Sequence, residues 1–267
     1  MIMQILPSLT SLVELKISLA TRTTDVVNWK TDGTPRPKTL ADLFHGKIID
    51  LPALRLFSLK EMSYHIHIDR FLERHPLLQS LHVECGGFDH LPLPDWRSVR
   101  TLPSLTHFKG SLANVNYLLA HCQTSINSLT IVGGPGSRHA FDTFSTLIEA
   151  NPNIRKMELQ ENGGYIGHVM SQYLTTCTNV ETLAVDFRCS VTVVGLWVDC
   201  VLECLKLPNV HKLVIRIPRQ DEGIQSKVFE GALGDVILHH KLNGTLCNFD
   251  LDIVSHSSKK IICGAIF

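Results

Sequence analysis

The sequence predicts an α/β solenoid, with short strands stacked into a curved parallel sheet on the concave side and helices on the convex side. Three observations predict it. A six-residue phrase (Pro, any residue, apolar, two residues, apolar) recurs along the chain. Period-two alternation follows most copies, as a strand with one buried face requires. Segments with helical periodicity fill the intervals, and no single strand–helix unit is large enough to bury a core alone.

The phrase occurs at Pro7/Leu9/Leu12, Pro52/Leu54/Phe57, Pro76/Leu78/Leu81, Pro103/Leu105/Phe108, Pro152/Ile154/Met157 and Pro208/Val210/Leu213. Two copies carry Thr for Pro, at Thr124/Ile126/Leu129 and Thr178/Val180/Leu183. From Phe57 to Leu213 the copies follow one another at intervals of 21 to 30 residues. Two positions later comes another apolar residue (Leu59, Val83, Ile131, Leu159, Val185, Ile215), with Glu14 and Gly110 as exceptions. A weaker ninth copy places Leu246, Phe249, Leu251 and Ile253 near the end.

The elements follow from this frame. Helices are expected over 40–44, 68–74, 141–152, 166–177, 196–205 and 224–242. In 196–205 the residues Trp197, Cys200, Val201, Cys204 and Leu205 share one helical stripe. Each proline is expected to stop a helix and lead into extended chain, since it lacks an N–H and its φ is fixed. One repeat domain is expected over 1–254, with loop insertions near 21–38 and 86–102 and a C-terminal tail over 255–267. That tail is apolar (IICGAIF) and is expected to pack on the last repeat or to mark a truncated end.

Composition narrows the function classes. Lys plus Arg is 25 and Asp plus Glu is 25, so the chain lacks the basic excess of a generic nucleic-acid or anionic-membrane surface. The eight cysteines form no CxxC pair, which fits reduced thiols and a cytoplasmic or nuclear protein. The N-terminus carries Glu14 and Lys16 inside its apolar part and has no basic leader.

The stretch HPLLQSLHVECGG (75–87) contains two histidines, a cysteine and a glycine pair, yet the repeat accounts for its skeleton. NPNIRKMELQENGG (151–164) keeps that skeleton with neither His nor Cys, so the shared pattern is architectural. The glycine pairs at 86–87, 133–134 and 163–164 follow strands, and Ser137 and Arg138 sit beside one of them. A phosphate- or nucleotide-binding enzyme built on these loops is the alternative reading, but no GK[ST] or GxGxxG accompanies them. His65 and His67 lack a third ligand at metal-site spacing, Cys200 and Cys204 belong to an apolar stripe, and His239, His240 and Lys241 suit a helix C-terminus. No catalytic residue, metal or cofactor is assigned.

The functional expectation is the concave strand face. Alternation assigns to it Ser58, Lys60, His82, Glu84, His107, Lys109, Lys156, Glu158, Gln160, Asp186, Lys212 and Arg216. Polar side chains of both signs on a rigid sheet suit a protein partner.

The phrases NPNIRKMEL, CTNVETLAV and LPNVHKLVI resemble leucine-rich repeats, specifically those of F-box leucine-rich-repeat proteins of the divergent, mushroom-type fungal kind. The resemblance implies a substrate-recognition domain of a ubiquitin ligase subunit, in which an F-box docks on a Skp-type adaptor. The first repeat is expected to begin close to Met1, which would leave no room for an F-box ahead of it within this sequence. The expectations are therefore a ligase substrate receptor, with the adaptor bound only through an upstream F-box, or an F-box-independent scaffold.

Overall fold

The computed structural model describes residues 10–19, 50–61, 68–85, 99–132, 138–161, 178–187, 209–217, 231, 234, 249–255 and 260–266. It is an α/β protein, and the chain divides into two compact units, Met1–Ile126 and Asn127–Phe267.

In the first unit, strands β1 (Glu14–Leu19), β2 (Leu56–Glu61), β3 (Ser80–Cys85) and β5 (His107–Gly110) pair in parallel, in that order. Helix α1 (Asp69–Glu73) lies between β2 and β3, and α2 (Leu112–His121) follows β5. A separate two-stranded parallel pair joins β4 (Thr101–Leu102) to β6 (Gln123–Thr124). In the second unit, β7 (Ser128–Val132), β8 (Lys156–Glu161), β9 (Thr182–Phe187), β10 (Lys212–Ile217) and β11 (Phe249–Ser255) run parallel. Helix α3 (Arg138–Glu149) connects β7 to β8. The apolar tail packs on the last parallel strand as β12 (Lys260–Ile266), antiparallel to β11 with a register shift between Ile253 and Val254.

The register aligns the recurring apolar positions. Leu15, Phe57, Leu81 and Phe108 stand side by side in the first unit; Leu129, Met157, Leu183, Leu213 and Leu251 do so in the second. Phe57, Leu81, Phe108, Leu129, Leu183 and Leu213 are wholly buried, so each contributes about 1.5–3 kcal/mol of apolar burial. Phe57 also meets Phe71 of α1 at 4.7 Å between ring centroids.

One feature corrects the expectations and two refine them. The first copy is displaced by three residues: Leu15 and Ile17, not Leu12 and Glu14, stand opposite Phe57 and Leu59. LPSLTSLVELKI accepts the phrase in either frame, and with Thr10/Leu12/Leu15 as the copy the anomaly of a glutamate at an apolar position disappears. The prolines, secondly, sit at the second residue of tight turns. Leu54, Leu78, Leu105 and Ile154 N–H groups donate to the carbonyls of Leu51, His75, Leu102 and Asn151 at 2.9–3.1 Å, which encloses Pro52, Pro76, Pro103 and Pro152. The fixed φ of proline matches that turn position. Thirdly, Gly110 interrupts the apolar row for a steric reason. A Cβ there would lie 3.0 Å from the Phe108 ring and 3.1 Å from Asn114 Cβ, so any side chain would push the ring or the start of α2 aside by a few tenths of an ångström.

Each turn feeds a shared carbonyl. Val13 O accepts from Arg55 and Leu56; Arg55 O from Gln79 and Ser80; Gln79 O from Thr106 and His107. In the second unit Asn127 O accepts from Arg155 and Lys156, Arg155 O from Glu181 and Thr182, and Glu181 O from His211 and Lys212. This bifurcated link uses both lone pairs of the oxygen and fixes the register before the ladder begins.

The helix expected over 68–74 is α1, and that over 141–152 is α3, whose end is closed by Asn151 Nδ2 donating to Leu147 O at 2.7 Å. Gly231 and Gly234, within the helix expected over 224–242, are helical. Helix α2 was not expected; its signals are Ser111, whose side chain accepts from Asn114 N, and the buried stripe Leu112, Val115, Leu118, Leu119. The helices expected over 40–44, 166–177 and 196–205 lie outside the described residues. So do His65, His67, the three glycine pairs, Ser137, Cys200, Cys204, His239, His240, Lys241 and the 21–38 insertion, and, of the 86–102 insertion, 86–98.

Candidate functional site

The register places all the predicted face residues opposite the buried rows. In the first unit one row across the strands is Lys16, Ser58, His82 and Lys109; the next is Ser18, Lys60 and Glu84; His107 stands beside Ser80. Lys16 and Ser80 were not in the predicted set. Lys16 was hidden by the displaced first copy, and Ser80 lies at the strand's first position, ahead of the alternation.

Charge pairing organises this face. Glu84 receives Lys60 Nζ at 3.2 Å and Lys109 Nζ at 2.9 Å, one from each flanking strand, while Lys16 pairs with Glu14 along its own strand. Burial alone would raise the Glu84 carboxyl, but the hydrogen bonds and charges of Lys109 and Lys60 outweigh it and hold Glu84 below the ordinary carboxylate range. His82 and His107 meet edge to face at 5.3 Å between centroids. Burial, together with the neighbouring His107 and Lys109, pushes His82 down to about 4, against the partial pull of Glu84.

Ser80, His82 and Glu84 share the polar side of β3, with Ser80 Oγ 3.3 Å from His82 Nε2. This has the residue types of a nucleophile, base and orienting acid, but Glu84 is committed to two lysines. A ring that resists protonation until about pH 4 is also a weak proton acceptor near neutrality.

In the second unit the rows are Ser128, Lys156, Thr182 and Lys212; Thr130, Glu158, Ala184, Val214 and Asp252; and Val132, Gln160, Asp186 and Arg216. Arg216 Nη1 donates to Glu158 Oε1 at 2.8 Å, reaching from β10 across β9 to β8, and Gln160 Nε2 donates to the same oxygen at 2.7 Å. The small side chain of Ala184, directly beside Glu158 on the intervening strand, leaves the space for that reach. Lys212 pairs with Asp252 at 3.6 Å. The expectation of an accessible face does not hold at Gln160 and Asp186, which are only 6% and 4% exposed. They belong to the buried polar layer of the sheet, whereas Lys156 is exposed.

The histidine that opened the motif at 75–87 is structural. His75 is buried; Leu51 N–H donates to its Nε2 at 3.0 Å, so its Nδ1–H donates to Phe71 O at 2.6 Å. Burial, only partly offset by that hydrogen bond, pushes its pKa down and keeps the ring neutral. Cys122 is a buried free thiol that donates to Val99 O at 3.1 Å, and burial raises its pKa against the weaker pull of Arg100. Among the described residues no group of three or more His, Cys, Asp or Glu could hold a metal ion, and no helix is long and apolar enough to cross a membrane. No protein-family model, curated protein or solved structure matches the chain.

Proposed function

We propose that this chain is a leucine-rich-repeat interaction scaffold, a binding module and not an enzyme, whose polar sheet faces hold a protein partner in the cytoplasm or nucleus. The observation that carries the reading is the parallel register: it lines up charged and hydrogen-bonding side chains of successive strands on the side opposite the apolar rows. A side chain supported by neighbours on both flanks presents a fixed pattern at low entropic cost, which favours specific recognition. The resemblance to F-box leucine-rich-repeat proteins makes substrate recognition for a ubiquitin ligase the specific form of the proposal. A Skp-type adaptor would then join through an F-box upstream; a free-standing scaffold is the other form.

The test is a pull-down of the endogenous protein from its native cells, with quantitative detection of the Skp adaptor, repeated with Lys156→Glu/Lys212→Glu. Adaptor enrichment supports the ligase form, and specific partners without adaptor support the free-standing form. Partner recovery unchanged by the folded double variant would count against the sheet face of the second unit.

A further inference from the structure

We infer that the polar sheet face of the first unit binds an acidic peptide, laid in extended conformation across the strands over Lys16, Lys60, His82, His107 and Lys109. The inference rests on the scaffold reading above and names the chemistry of its partner.

Charge points to this occupant. The described face of the first unit carries three lysines and two imidazoles against Glu14 and Glu84. That of the second carries Lys156, Lys212 and Arg216 against Glu158, Asp186 and Asp252, so a positive balance exists only on the first. Glu84 is divided between two lysines, which leaves neither fully neutralised. The side chains of Lys16 and Lys60 are 65% and 64% exposed and can turn to a ligand without disturbing the core.

Spacing selects a peptide over a small anion. Lys16, Ser58, His82 and Lys109 occupy one row on four successive strands. With strands about 4.8 Å apart, the row spans roughly 14 Å. One carboxylate or phosphate reaches only part of that length. An extended chain places alternate side chains about 6.8 Å apart, so three acids at every second position cover the row from Lys16 to Lys109.

His82 is faced by Lys16 from β1, Ser58 and Lys60 from β2, Ser80 and Glu84 on its own strand, and His107 and Lys109 from β5. Burial, and after it the positive neighbours, keep the His82 ring neutral near pH 7, so the attraction for an acidic ligand is carried by the lysines around it.

The experiment is fluorescence anisotropy of the full chain with a labelled peptide alternating glutamate and alanine, compared with the same peptide carrying glutamine for glutamate. The acidic peptide is expected to bind at least about tenfold more tightly than its neutral counterpart, an advantage that added salt reduces. Lys16→Gln/Lys60→Gln should weaken it by about fivefold or more, and Arg70→Gln, an exposed cation on α1 away from the sheet face, should leave it unchanged. Equal binding of the neutral peptide, indifference to the lysine pair, equal sensitivity to Arg70→Gln, or tighter binding of an oligouridine RNA would each overturn the inference. If the peptide fails while the pull-down still recovers a partner sensitive to Lys156 and Lys212, the scaffold reading stands and only this inference falls.

Discussion

His75→Ala removes a buried ring that joins two segments of the first unit. The ring accepts Leu51 N–H at 3.0 Å, donates to Phe71 O at 2.6 Å and stacks on the Phe71 ring with centroids 4.1 Å apart. The Phe71 carbonyl keeps a second donor, Arg74 N–H at 3.2 Å, so the variant orphans chiefly the Leu51 amide. An unsatisfied buried amide costs about 1–3 kcal/mol and the lost ring contact about 1 kcal/mol, giving roughly 3 kcal/mol in total. Urea unfolding at pH 7.5 should show that loss, and His75→Gln, which can still accept from Leu51, should lose about half as much. The folded ring has a lowered pKa, so it stays neutral while the unfolded histidine takes up a proton. Its contribution is complete above the ordinary value of 6.5 and declines below it, so the gap between wild type and His75→Ala must narrow on acidification. A loss under about 1 kcal/mol at pH 7.5, or a gap that widens in acid, would refute the reasoning.

Gly110→Ala gains about 0.4–1 kcal/mol through the unfolded chain but overpacks the Phe108 ring at 3.0 Å, a cost of about 1–3 kcal/mol, so a net loss of about 1 kcal/mol should appear in urea titration. Ala184→Leu should obstruct the reach of Arg216 to Glu158; with Arg216→Ala it should show less than additive loss, each change costing about 1 kcal/mol in a double-mutant cycle. His82 has its pKa pushed down to about 4, so the stability of its neutral form is complete above 6.5 and falls as pH drops towards 4. His82→Gln should flatten that part of the pH–stability curve by about 1–2 kcal/mol, the full shift being reduced by solvent screening of a half-buried ring.

Much of the fold was legible because period-two patterning and turn chemistry are local. Leu81, Val83, Met157 and Leu159 show which side of their strands is buried from sequence alone, and all four are buried in the structure. The first copy was misplaced because LPSLTSLVEL satisfies the phrase in two frames, and only pairing with Phe57 decides between them. Helix α2 was passed over because Asn114, Asn116 and Tyr117 dilute its apolar stripe, although its Ser111 cap was readable. The site was legible as a parity and not as a set of contacts. Alternation put Gln160 and Asp186 on the polar side, but their burial depends on neighbours such as Arg216, 56 and 30 residues away in sequence.

The division of labour between carbonyls and side chains explains how one scaffold carries two different faces. The shared carbonyls of Val13, Arg55 and Gln79 set register through backbone N–H donors, as those of Asn127, Arg155 and Glu181 do in the second unit, and Thr106 Oγ1 adds a side-chain donor at Gln79 O. None of these donors is a side chain of the polar sheet face, so the outward positions can differ between the units. In the first unit those positions hold lysine and histidine around one glutamate. In the second they hold an arginine stretched over an alanine to a glutamate, beside a buried aspartate. The first arrangement leaves the side chains of Lys16 and Lys60 largely exposed, while in the second Arg216 and Lys212 pair with Glu158 and Asp252. The chemistry of each face therefore resides in what the backbone leaves undetermined.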